Sequence, residues 1–319
     1  MTLKDIYEFV VKEGISADPR GKSVATRNLA RLKKRYRQLN KKAKEEFDAE
    51  RLWNPYSDTR ILCGSPAQKV KTILLGIDIE GAELLLADRL NQQGEKIDLV
   101  MSHHPEGKAL AGLTEVMDIH SEILKDLGVP ISVAESLMAE RIAEVKRKVM
   151  PANHSRSVDM ARLLKLGFMC CHTVADNHVA SYLQKLMDRK KPDSLGDVLD
   201  ILKGIAEYRQ AFKEKAGPRI IVGEPKRQAG KIFVDMTGGT EGSKDIFQKL
   251  ATAGIGTIVA MHLSEEHFRK VRAEHINVII AGHIGSDSLG LNLLLDKLEK
   301  RQKLNIIECS GFKRIRRKH

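Results

Sequence analysis

The sequence predicts an α/β protein, with mixed sheets covered by helices in two similar-sized lobes and a basic helical N-terminal extension. Three observations carry this. From about residue 66 short apolar runs alternate with amphipathic stretches, three of those runs stop at a histidine, and none approaches the roughly 18 residues of a membrane span.

Residues 3–15 and 24–52 read as helices, because Leu29, Leu32, Tyr36 and Leu39 recur at three- and four-residue spacing with Lys/Arg between them. Asp18-Pro19-Arg20-Gly21 breaks the pair into a hairpin. The loop-rich 53–58 stretch and Cys63-Gly64-Ser65-Pro66 place a boundary near residue 65, so 1–65 is the extension and 66–310 the α/β domain. Its first lobe, about 66–190, reads as strands 70–79, 97–102, 130–133 and 168–171, with helices 82–92, 114–127, 138–149 and 159–166. Helices 177–188 and 195–215 form a link closed by Gly217-Pro218. The second lobe, about 217–310, has strands 219–222, 231–236, 257–261, 278–281 and 304–308, with helices 243–253, 265–274 and 288–300. No internal sequence repeat is evident, and 311–319 is a basic tail.

With 319 residues, 42% of them hydrophobic, the chain can bury two ordinary cores. The evenly charged start does not read as a signal peptide, which favours the cytoplasm and no membrane partner. Cys63, Cys170, Cys171 and Cys309 have no CxxC spacing and read as free thiols. The net charge of +12 sits at the ends: residues 1–60 hold fifteen Lys/Arg against nine Asp/Glu, the tail adds five cations, and 61–312 is 34 against 33. Such ends suit nucleic acid or another polyanion, and equally suit solvated helix faces.

The chemistry lies at strand ends. Ile97–Met101 runs into Ser102-His103-His104-Pro105, where proline stops the ladder and lets two imidazoles share one cleft. His172-Thr173-Val174-Ala175-Asp176 and His283-Ile284-Gly285-Ser286-Asp287 each place a carboxylate four residues after a histidine, which a helix returns to the same side. One such end is common in a packed core, whereas three convergent ones read as a ligand set: His103, His104, Asp176, His283 and Asp287. Imidazole with carboxylate suits Zn, Fe, Mn or Co rather than Ca or Mg. Five donors fit two divalent transition-metal ions with open positions, the bridging role falling to Asp176. His172 reads as an orienting partner rather than a ligand. His178, His262 and His267 read as core or solvated. The Thr237-Gly238-Gly239-Thr240-Glu241-Gly242-Ser243 turn lacks a Walker lysine and reads as a tight strand-to-helix turn that can line the cleft.

In this order, His103-His104-Pro105, His172 to Asp176 and Gly282 to Asp287, with Gly238-Gly239-Thr240 between the last two, resemble the Nif-three-like family, whose members often carry the name of homologs of a type 2 GTP cyclohydrolase I. The resemblance covers about residues 68–310. It implies an α/β fold, a dinuclear metal centre held by His103, His104, Asp176, His283 and Asp287, and assembly into a toroidal homohexamer. The family's third motif usually ends in Glu. Asp287 is one methylene shorter, so the backbone must come in or the second ion is held more loosely.

Two readings of function follow. The first is a metal-dependent hydrolase acting through a metal-bridging water on a small molecule, with nucleotide or phosphate-bearing substrates favoured by the glycine turn and the basic surplus. The second is a non-catalytic metal-binding or regulatory scaffold that engages nucleic acid or a protein through its basic ends. A metal-free α/β protein is the bland alternative.

Overall fold

The computed structural model describes residues 1–317, so the last two residues of the basic tail expected over 311–319, Lys318 among them, lie outside the described residues. The chain opens on α1 (Leu3–Ala17), where the Thr2 hydroxyl accepts from the Asp5 amide and the Asp5 carboxylate accepts from the Thr2 amide. Next come α2 (Lys22–Gln38) and the short α3 (Lys41–Glu46). Then follow β1 (Thr59–Cys63), β2 (Thr72–Gly76), α4 (Gly81–Gln92), β3 (Leu99–Ser102), α5 (Gly107–Ala111), α6 (Asp118–Leu127), α7 (Ile131–Val149), α8 (Arg156–Leu163), β4 (Gly167–Cys171) and α9 (Thr173–Lys190). Helices α10 (Leu195–Lys203) and α11 (Ala206–Lys213) link this part to β5 (Arg219–Val222), β6 (Lys231–Asp235), α12 (Phe247–Thr252), β7 (Ile255–Ala260), α13 (Glu265–Ala273), β8 (Asn277–Ile280), α14 (His283–Leu298) and β9 (Asn305–Glu308).

Among the described residues the strands form two mixed sheets, ordered β1-β4-β3-β2-β9 and β5-β8-β7-β6. Each has one antiparallel edge, β1 on β4 and β5 on β8, and is otherwise parallel. Apart from β9 the two orders match strand for strand, so the topology is duplicated where the sequence shows no repeat. Element order and crossover handedness dictate such an arrangement, and side-chain identity need not follow. Helices α9 and α14, one after each inner strand, contribute to the cores under both sheets.

Three expectations are corrected. The boundary near residue 65 is not a packing boundary: β1 lies in the first sheet, and Leu3, Ile6, Tyr7, Val10 and Val11 of α1 are at most 3% exposed, packed with Ile73, Leu99 and Met169. Residues 304–308 do not belong to the second lobe, because β9 returns to pair with β2. Residues 130–133 are not a strand but the start of α7, whose first turn bonds back to the Pro130 carbonyl. Three apolar residues are too few to separate a strand from one helical turn.

Candidate metal centre

The site forms where the carboxyl ends of both sheets meet. The His103 amide donates to the carbonyls of Gly76 and Ile77, and the His104 amide to Ile77. The pair is thereby folded over the turn after β2 instead of continuing a strand. Both rings then face one side, with centroids 5.2 Å apart.

Asp176 lies in the first turn of α9, and Asp287 one turn into α14. The two helices approach closely because residue 290 is glycine: a Cβ there would meet the Ala175 carbonyl oxygen at 2.4 Å. That crossing brings Asp287, which is fully buried, beside Asp176. The shorter side chain therefore does reach the cluster.

Nε2 of His103 is 3.4 Å from Asp176 Oδ1 and 3.4 Å from Asp287 Oδ1. Nε2 of His104 and of His283 lie 3.6 and 3.7 Å from Asp287 Oδ2, and Nε2 of His172 lies 3.7 Å from Asp176 Oδ2. Donor atoms of His103, Asp176 and Asp287 fall within 4.8 Å of one another, as do those of His104, His283 and Asp287. The carboxylate common to both groups is Asp287, not Asp176 as the sequence suggested, because the helix crossing centres Asp287 between His103 and His104. His172 also belongs here: it groups with His103 and His104, its ring centroid 4.9 Å from that of His103.

The supporting bonds leave the Nε2 atoms free. His103 Nδ1 donates to the Cys171 carbonyl (3.1 Å), His104 Nδ1 to Asp78 (2.6 Å) and His172 Nδ1 to Asp58 (2.8 Å). Asp58 is fully buried and also accepts from the Thr173 hydroxyl at 2.5 Å. Sequence reasoning missed Asp58, which lies 114 residues before His172 in a loop with no local signal. Asp78 lies inside the expected 70–79 strand, which ends at Gly76 in the structure.

Asp176 Oδ1 and both oxygens of Asp287 are buried without a hydrogen-bond partner. Unpartnered buried carboxylate oxygens cost several kcal/mol unless a cation sits among them. This donor set, nitrogen and oxygen with the far nitrogens of His103, His104 and His172 tied to oxygens, fits a transition metal. Burial disfavours a charged His103, but Asp287 and Asp176 outweigh it and push its pKa well above the usual imidazole value. Burial, aided by His103, lowers that of His104. Asp287 is held below the usual carboxylate range despite burial, chiefly by His103 and His283.

The opposite wall comes from the second lobe. Thr237, Gly239 and Thr240 of the glycine turn line the same cleft with Asp235, Glu241, His262 and His267. His262, expected to be core or solvated, packs its ring 4.8 Å from that of His283. His267 also lines the cleft, whereas His178 is buried as expected, donating to the Val174 carbonyl. The turn is braced by His120, whose Nε2 donates to the Gly238 and Thr240 carbonyls. All four cysteines are free thiols, and burial pushes Cys170 up to about 12.

No protein-family model matches the chain, and no curated protein does. Among solved structures it is similar to a NIF3 superfamily protein from Sphaerobacter thermophilus, with 28% identity over 80% of this chain and 92% of that one and a TM-score of 0.70. It is similar in fold to reduced HcgD from Methanocaldococcus jannaschii, with 15% identity, 84% and 94% covered and a TM-score of 0.51.

Proposed function

For a chain that belongs to the NIF3-like family, we propose that it is a dinuclear-metal-dependent hydrolase acting on a nucleotide-like or phosphate-bearing small molecule. The single observation that supports this reading best is the set of unpartnered Asp176 and Asp287 oxygens facing free Nε2 atoms. On this reading His103, His172 and Asp176 would hold one divalent ion (Zn, Fe, Mn or Co) and His104 and His283 the other, with Asp287 within reach of both groups. When bound, such ions polarise a substrate oxygen and acidify water. The protein's part is positional. Asp58, Asp78 and the Cys171 carbonyl fix the tautomer and tilt of three imidazoles, and Glu241, through His262, backs the ring of His283. The glycine turn closes the far side of the cleft, where a substrate's polar group would lie.

The same reading carries a toroidal homohexamer and a cytoplasmic location as proposals. No helix among the described residues is long and apolar enough to cross a membrane. The test is turnover of phosphoesters, nucleotides and cyclic amides by protein loaded with Mn, Fe, Co or Zn. The expected result is hydrolysis of one class that His104→Ala abolishes together with the uptake of one of the two ions. Stoichiometric metal with no turnover in any class would support the scaffold reading instead.

A further inference from the structure

Residues 21–44 hold ten Lys/Arg and no Asp/Glu, against 44 and 42 in the remainder, so this segment supplies +10 of the chain's +12. Its main element is α2. There Lys22, Arg27, Arg31, Lys33, Lys34, Arg35 and Arg37 are all exposed, and none is in an ion pair among the described residues. Helical spacing sets Arg27, Arg31 and Lys34 in one outward row at i, i+4 and i+7, with Lys33 and Arg37 in the next. Like charges so placed repel one another along the helix, a cost that a polyanion would relieve.

The helix is nonetheless fixed. Ala25 is fully buried, the Asn28 amide donates to both Glu122 oxygens (3.0 and 2.9 Å), and Tyr36 packs on Phe47 with centroids 5.0 Å apart. The acids beside α2 are engaged by other residues, Glu122 by Asn28 and Arg20 and Asp18 by Arg20, while Glu45, beyond the end of the helix, lies 4.0 Å from Lys41. The charged face is a rigid row about 22 Å long at 1.5 Å per residue, about six base pairs of duplex.

The other basic end differs. Arg314 donates to Asp296 (2.6 Å) and Glu299 (2.8 Å), Arg316 to Glu299 (3.1 Å), and Arg317 to both oxygens of Glu207 (2.7 and 2.8 Å). The described part of the tail is strapped onto α14 and α11, and its charge is spent internally. A bilayer is a poor match for α2, because no large hydrophobic residue on it is exposed to enter the acyl region. Tyr36 is half-buried against Phe47 and so offers no free stacking platform for unpaired bases. Four of the seven cations are arginines, whose planar forks grip phosphate.

We propose that the outer face of α2 is a sequence-independent binding surface for double-stranded nucleic acid, with Arg27, Arg31 and Lys34 on the phosphate backbone and Lys33 and Arg37 alongside. The inference is independent of the metal centre. The test is fluorescence anisotropy of the full chain with labelled 20-base-pair DNA and RNA duplexes of two unrelated sequences between roughly 50 and 200 mM salt. The expected result is salt-sensitive binding indifferent to sequence. The triple variant Arg27→Ala/Arg31→Ala/Lys34→Ala should weaken it at least tenfold and flatten the log–log salt slope by about 2.7 units, three contacts at about 0.9 each. Arg27→Lys/Arg31→Lys should retain binding, which separates charge from folding, and Arg316→Ala on the tail should leave it unchanged. The proposal is overturned if the wild type does not bind duplex, if the triple variant binds like the wild type, or if vesicles of anionic lipid or poly-glutamate bind α2 as tightly.

Discussion

Two clusters of acids and imidazoles face each other across one cleft, the first drawing His103, His104, His172 and Asp176 from the first lobe and His283 and Asp287 from the second, the other drawn from the second lobe alone. In the first, Asp176 and Asp287 leave buried oxygens without partners while four Nε2 atoms point at them. In the second, Glu241 accepts from the Ser264 amide (2.7 Å) and lies 3.3 and 3.5 Å from Nδ1 of His262 and His267. The remaining His267 nitrogen donates to the Gly242 carbonyl. The residue types are the same, but among the described residues Glu241 has no buried oxygen without a partner, whereas Asp176 and Asp287 together have three. Unmet bonding on carboxylates that face several imidazoles, rather than composition, is what sets the first cluster apart.

The largest effect expected from breaking this contrast is at Asp287. Asp287→Ala removes the carboxylate shared by both groups, and metal content by elemental analysis should fall from two ions per chain to none retained through dialysis. Gly290→Ala comes next, since its Cβ must displace the Ala175 carbonyl. It should cost about 1–3 kcal/mol in urea unfolding and lower metal content by pushing α9 and α14 apart. Asp58→Asn spares every donor but loosens His172, so affinity for one of the two ions should drop about 10–100-fold by calorimetry while the other is kept. Glu241→Gln is the smallest: both ions should remain, with about 1–3 kcal/mol lost because a buried acceptor is weakened. Burial favours the neutral acid, but His262 and His267 hold the Glu241 pKa down to about 2. A carboxylate depressed on folding stabilises above its unfolded value of 4.5. The wild type's advantage over Glu241→Gln should therefore be full near neutrality and fade as pH falls from about 4.5 to about 2. An advantage that instead grows on acidification would show that Glu241 is not satisfied as described.

The strand ends were legible because a short apolar run that stops at His or Asp carries its own signal. His103, His104, Asp176, His283 and Asp287 were found that way, and the structure gathers all five. The rest depended on long-range pairing. Asp58 touches His172 only because β1 closes the sheet edge against β4, and nothing near residue 58 foretells that. The return of β9 to the first sheet is likewise invisible in an apolar tetrapeptide. The two basic ends look alike in sequence, yet one meets Asp296, Glu299 and Glu207 and the other meets solvent, a difference that resides wholly in the acids. Asp287 outranked Asp176 as the shared group for the same reason: the helix crossing at Gly290 has no local signature.

The most direct test is anomalous scattering from crystals of the metal-loaded protein at the Mn, Fe, Co and Zn absorption edges. The account predicts two peaks, one among His103, His172, Asp176 and Asp287 and one among His104, His283 and Asp287, with none at Glu241, His262 and His267. A peak at the Glu241 cluster, or a loaded crystal with no peak beside Asp287, would contradict it.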